Sequence, residues 1–249
     1  RNSKQALADA TIRSNFRGAM DFLRDKRASV FPDRAAYESL RDQGEAIKQR
    51  CLLKLPQLLE QLETQCQANG IQVHWAETCE QAQTIVYDII SAQNATQVVK
   101  GKSMVTEEID LNAYLAQHDI DCIESDMGEY IVQLDEEHPS HIIMPAIHKN
   151  VEQIATLFAD RIPEVEYTTD VDQLIKIGRE QLRQRFFNAD VGVTGVNFAV
   201  AETGTLCLVE NEGNGRMTTT IPKTVETLDG RFSITFSERW THGYDKGVP

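Results

Sequence analysis

Residues 192–216, GVTGVNFAVAETGTLCLVENEGNGR, carry side chains whose types and spacing suit chemistry. Glu202, Glu210 and Glu212 sit at the ends of two β-runs, Asn197–Ala201 and Thr205–Glu210, around the break Thr203-Gly204. A carboxylate at a strand end can serve as general base or nucleophile. Glycines at 192, 195, 204, 213 and 215 let the backbone approach a ligand closely, and amides such as those of Gly204 and Gly213 can hold an oxyanion. We therefore take Glu202, Glu210 and Glu212 as candidate catalytic groups. Asn197, Thr203, Gly204, Asn211, Gly213 and Asn214 are candidate binding residues beside them. The plainer alternative is a buried β-hairpin with a polar turn.

Two further constellations invite comparison. The run Val98 to Ser103, V-V-K-G-K-S, ends a strand and precedes a helix. A triphosphate-binding loop would need glycine at 96, where Thr96 stands, which disfavours a nucleotide triphosphatase. Lys100, Lys102 and Ser103 still make a candidate anion site. The run 126–148 contains Glu129, His138, His141 and His148. Its histidines do not have the spacing of a metal site, and we expect no metal; Glu129, His141 and His148 are read as substrate contacts.

These groups need elements to position them. Helical spacing of apolar residues runs from 4 to 26, and Asp33 is an expected N-cap for a second helix that Pro56 kinks or restarts. From Gly70 the pattern becomes strand–helix alternation. Strands are expected at Ile71–Trp75, Gln97–Lys100, Asp121–Glu124 and His141–Met144. Helices are expected at Cys79–Ile90, Glu107–Gln117 with Thr106 as cap, Val151–Asp160 and Val171–Asn188, with Tyr130–Leu134 helical or extended. Such alternation implies an α/β fold with a mostly parallel sheet flanked by helices. Ligands then bind at the carboxyl ends of the strands. We expect the loops after Lys100, after His141 and around 202–214 to line one pocket, with Lys102 facing a glutamate. The domain expectation is a helical arm over 1–69, an α/β core over 70–223, and a tail over 224–249.

Composition narrows the function classes. The net charge of −13 over 249 residues disfavours a nucleic-acid partner, and no apolar run is long enough to span a bilayer as a helix. The five cysteines, Cys51, Cys66, Cys79, Cys122 and Cys207, are odd in number and form no C-x-x-C pair. That pattern points to a reducing cytoplasm without disulfides, and no cofactor is expected in this chain. The chain opens on Arg1 rather than Met, which leads us to expect a piece of a longer protein.

Four motifs carry a family resemblance: K-G-K-S-M-V-T-E-E-I (100–109), S-D-M-G-E-Y-I-V-Q-L (125–134), P-S-H-I-I-M-P-A-I-H (139–148) and G-V-N-F-A-V-A-E-T-G-T-L-C-L-V-E-N-E-G-N (195–214). With F-R-G-A-M-D-F-L-R-D-K-R (16–27), the chain resembles the lactate-utilisation (LUD) domain family, in its branch of iron–sulfur cluster-binding subunits. The resemblance implies a fold of the sugar-phosphate isomerase and CoA-transferase type. It implies a role in oxidising L-lactate to pyruvate within a cytoplasmic system of lactate-utilisation subunits. It also implies two 4Fe–4S clusters in a ferredoxin-like region beyond this chain's match, so residues 224–249 fit no expected motif. The LUD domain would bind a small organic anion such as L-lactate or pyruvate. The alternatives are a CoA-transferase-like or hydrolase-like enzyme using a strand-end glutamate, as Glu210-Asn211-Glu212-Gly213 suggests, and a non-catalytic scaffold.

Overall fold

A computed structural model describes residues 7–141, 144–210, 212–222, 224–229 and 232–236, with side chains through Val225. Helices α1 (Ala10–Val30) and α2 (Arg34–Leu53) open the chain, capped by Asp9 and Asp33. Neither helix contains a buried residue, and Leu40, Ile47, Leu52 and Leu53 are exposed. At Lys54 the backbone leaves helical geometry. Helix α3 (Leu55–Ala68) then restarts with Pro56 in its first turn, where a missing amide costs nothing.

The α/β body follows. Strand β1 (Gln72–Trp75), α4 (Cys79–Ala92), β2 (Gln97–Lys100), α5 (Met104–Glu108), α6 (Leu111–Ala116) and β3 (Asp121–Glu124) alternate as the pattern requires. Helices α7 (Met127–Leu134), α8 (Val151–Arg161) and α9 (Val171–Asn188) come next. Then follow β4 (Val191–Gly195), the hairpin β5 (Phe198–Val200) and β6 (Thr205–Cys207), α10 (Asn214–Thr220), β7 (Thr224–Asp229) and β8 (Phe232–Phe236).

One six-stranded sheet has the order β1-β8-β7-β4-β2-β3. Its β7-β4-β2-β3 part is parallel, while β8 pairs antiparallel with both β7 and β1. Val98, Val99, Val191 and Val193 are fully sealed, as expected of central parallel strands covered on both faces. Val98, Val191 and Val193 join Val86, Ile90, Leu111 and Leu115 in a core beneath α4 and α6. Leu157, Phe158 and Leu174 build a second core with Ile131, among α7, α8 and α9.

Register sets the site. Lys100 lies beside Glu124 on one flank and Val193 on the other, so β2 and β3 end level and β4 runs two residues further, to Gly195. The turns after them leave from a common rim.

Several expectations change. The helix expected over 107–117 is two short helices, because Asp110 takes the left-handed region (φ 49°), which Asp tolerates better than most side chains. Ser103, not Thr106, caps the first. His141 and Met144 are not in a strand; Ile142 and Ile143 between them lie outside the described residues. The segment sits between Pro139 and Pro145, which lack the amide a sheet ladder needs. Tyr130–Leu134 is helical. Val191–Gly195, where no strand was expected, is a central strand of the main sheet. The hairpin itself is a separate two-stranded sheet whose β5 is exposed throughout. Residues 224–229 and 232–236, expected in the tail, pair with the main sheet.

Candidate functional site

A cleft of about 770 Å³ lies at the carboxyl edge of β2 and β4. It is lined by the β2–α5 turn, by Glu129, by residues 138–141, by the end of β4, and by residues 208–210, 212, 214 and 215. Its size is that of a small-molecule site.

The β2 end divides its two lysines. Lys100 is 1% exposed, and its Nζ lies 2.8 Å from Glu124 Oε1, 3.0 Å from Glu107 Oε1 and 3.0 Å from Thr106 Oγ1. Burial works against its charge, yet Glu124 and Glu107 overcome this and hold the ammonium well above its ordinary value. All its donors are committed inside the protein, so the expected anion contact from Lys100 does not form in the cleft. Lys102 is 35% exposed and lines the cleft. Its Nζ lies 2.8 Å from Asp126 Oδ2 and 3.9 Å from Glu212 Oε1. Partial burial opposes its charge, and Asp126, Glu212 and Glu129 outweigh that and raise it. Ser103 also lines the cleft, but its Oγ accepts from the Thr106 amide as the cap of α5.

Asp126 caps α7, accepting at Oδ1 from the amides of Gly128 and Glu129. Burial alone would raise its carboxyl, but hydrogen bonds from Glu212, Lys102 and the Glu129 amide lower it. Glu212 responds in the opposite sense, raised chiefly by its hydrogen bond to Asp126. The cap places Glu129 in the first turn of α7, at the cleft's floor and 6% exposed. Burial pushes its carboxyl up to about 9, helped by Glu124 and Asp126 and opposed by Lys100. Its Oε2 has no hydrogen-bond partner.

The other expected residues separate into two groups. His141, Asn197, Glu210 and Asn214 line the cleft. Of these, Asn197 uses Oδ1 to hold the Val209 amide, while Glu210 accepts from the Arg216 amide, so both clip the 208–216 loop in place. Glu202, Thr203, Gly204, His148 and Gly213 are not among the cleft's lining residues, and Asn211 lies outside the described residues. Thr203 and Gly204 form the hairpin tip docked on α3: Asn69 donates to the Thr203 carbonyl, and Gly204 (φ 68°) leaves no room for a Cβ, which would come within 2.8 Å of the Cys66 amide. His148 is buried in a network with Ser140 and Glu137 that fixes the 135–150 loop, with Lys149 bridging Asp135 and Glu137.

Sequence reading missed Asp126, Glu124 and Glu107. Asp126 carried a usable signal: an N-cap residue directly after a parallel strand, one strand over from Lys102.

Among the described residues, no three His, Cys, Asp or Glu side chains gather as a metal requires. The cysteines do not fit an iron–sulfur cluster. Cys51 and Cys79 are exposed on α2 and α4, Cys66 is buried in α3, Cys207 sits in β6, and burial pushes the Cys122 thiol up to about 12. A cluster needs thiolates converging on one point.

A largely parallel sheet flanked by helices, with a cleft at its carboxyl edge, defines an α/β domain. The LUD domain model matches residues 59–230, and the chain belongs to the LUD domain family. Similar proteins include lactate utilization protein B of Bacillus velezensis, 43% identical over 237 residues, covering 94% of this chain and 50% of the relative. That of Bacillus subtilis is 40% identical over 237 residues, covering 94% and 49%, and that of Macrococcus caseolyticus 42% over 228, covering 91% and 48%. The chain thus spans about half the length of the curated relatives it matches. No solved structure gives a significant match.

Proposed function

We propose that this chain is the LUD part of a cytoplasmic subunit that acts in oxidising L-lactate to pyruvate, and that its cleft holds a small organic anion such as L-lactate or pyruvate. The relatives' shared name, lactate utilization protein B, supports the pathway. One observation carries the ligand assignment. Lys102 is the one lysine or arginine lining the cleft among the described residues, and it is half exposed, so its ammonium can meet a carboxylate. The surrounding acids do not forbid this, because Glu129 is held neutral and Glu212 is raised. His141, Asn197, Asn214 and the Ser103 hydroxyl complete the wall. Electron transfer falls to two 4Fe–4S clusters in a region outside this chain, which works with other lactate-utilisation subunits.

A second reading rests on Glu212, which lines the cleft and whose carboxyl is raised chiefly by its hydrogen bond to Asp126. Such a pair suits an acid–base or nucleophilic role in a CoA-transferase-like or hydrolase-like reaction. Titrating the chain with L-lactate, pyruvate and a phosphorylated sugar, followed by calorimetry, separates the two. Saturable binding of the three-carbon acids supports the first. Binding of the sugar phosphate alone, or of none, removes it.

A further inference from the structure

The N-terminal arm is left uncovered at its bend. Phe16, Met20 and Leu23 of α1 are half-buried, but every residue from 24 to 36 is exposed. Pro32 stops α1 and Asp33 caps α2, which brings Arg27, in the last turn of one helix, beside Arg34 and Arg41 of the other. The three arginines line a cavity of about 430 Å³ with Phe31 and Tyr37, whose ring centroids lie 4.8 Å apart. Arg41 is paired with Glu38, whereas Arg27 and Arg34 make no ion pair among the described residues. Two free guanidinium groups beside an aromatic wall suit a partner that is both acidic and aromatic.

The same chain exposes such a partner. Between α8 and α9 stand Glu164, Glu166, Asp170 and Asp172, with no lysine or arginine from 162 to 175. None of the four carboxylates makes an ion pair among the described residues. Tyr167 is 58% exposed among them, and Val171 and Ile175 are exposed beyond it. Ile162 and Leu174, buried in the second core, anchor both ends of this stretch.

We propose that two copies of this chain pair through these surfaces, in a contact made twice. Tyr167 of each copy seats in the arm cavity of the other, with Glu166 against Arg34 and Glu164 against Arg27. At a net charge of −13 two copies repel as wholes, so association needs a place where the sign reverses, and the bend supplies it. Tyrosine and arginine are the side chains that most often carry the energy of an interface. Reciprocal contact closes the pair and leaves no open end for a third copy.

The test is sedimentation equilibrium on the whole chain at pH 7. At about 0.1 mM the wild type is expected to sediment with twice the mass of one chain. Arg34→Glu and Glu166→Arg each set like charges against each other in both contacts, and each should weaken pairing by at least about tenfold. Both side chains are exposed and unpaired, so the thermal melts of the two variants should stay near wild type. Mixing the two variants is the decisive step. In the mixed pair both 34–166 contacts again join opposite charges, and association should return to within about threefold of wild type. A wild-type chain that stays monomeric overturns the proposal and leaves the bend to another protein. A dimer untouched by either single variant, or two weakened variants that do not recover on mixing, overturns it as well.

Discussion

Lys100 and Lys102 stand two residues apart at the end of one strand and do different work. Lys100 points into the protein, where Glu124, Glu107 and Thr106 use all its donors. Lys102 points into the cleft, where Asp126 holds it and Glu212 stands near. Strand alternation sends neighbouring odd and even positions to opposite faces, but here Gly101 ends the strand, and the turn rather than the pleat decides. Both lysines rest on a buried carboxylate, but Lys100 is itself sealed while Lys102 keeps 35% of its side chain exposed, where a ligand can claim its charge. The lesson is that charge near a cleft is not yet charge in the cleft.

The largest way to sharpen this contrast is Lys100→Ala. It leaves Glu124 buried without its cation and should cost about 3–5 kcal/mol in urea unfolding. A loss under about 1 kcal/mol would mean that Lys100 is not the internal counter-ion described. Next comes the pH dependence set by Glu129, whose carboxyl lies near 9 in the fold against an ordinary 4.5. The folded chain keeps a proton that the unfolded chain loses between those values. This contribution is therefore full below pH 4.5 and is lost as pH rises through about 9, by at most about 1.4 kcal/mol per pH unit. Glu129→Gln should flatten that slope in thermal melts taken from pH 5 to 9. A slope identical to wild type would place Glu129 among ordinary carboxylates.

Asp126→Ala removes the cap of α7 and the partner of Lys102 together, and about 0.5–2 kcal/mol of stability should go with it. Chemical denaturation reads this directly, and Asp126→Asn, which can still cap, should recover most of the loss. The smallest expected change is in the stability of Lys102→Ala. Asp126 is only 5% exposed, but it keeps the Gly128 and Glu129 amides when Lys102 is gone, so the loss should be about 1 kcal/mol, well below that of Lys100→Ala. A midpoint as low as that of Lys100→Ala would erase the distinction between the two lysines.

How much of this was legible beforehand depends on the range of each interaction. The strand Gln97–Lys100 and the turn K-G-K-S were readable because apolar runs and glycine act locally. The fate of Lys100 was not, since its partner Glu124 arrives by the register of β2 on β3. Lys102 was expected to face at least one of Glu202, Glu210 and Glu212, and it lies 3.9 Å from Glu212 Oε1, while Glu202 is not among the cleft's lining residues. Glu202 and Gly204 looked equally chemical in sequence. Their role follows from Leu206 and Ala201 packing on Leu62 and Cys66 of α3, a tertiary contact no local pattern encodes. The strand Val191–Gly195 escaped because two glycines blur its β signal; Gly192 is required there, as a Cβ would fall 2.0 Å from the Thr218 carbonyl oxygen of α10.

The central claim is that Lys102 is the ligand's cation, and calorimetry of L-lactate with wild-type and Lys102→Ala chains tests it most directly. The account predicts saturable binding by the wild type and a loss of about 1.5–3 kcal/mol in the variant, the scale of a charge-assisted hydrogen bond, with stability lowered far less than in Lys100→Ala. A Lys102→Ala chain that folds normally and binds L-lactate as the wild type does would contradict it.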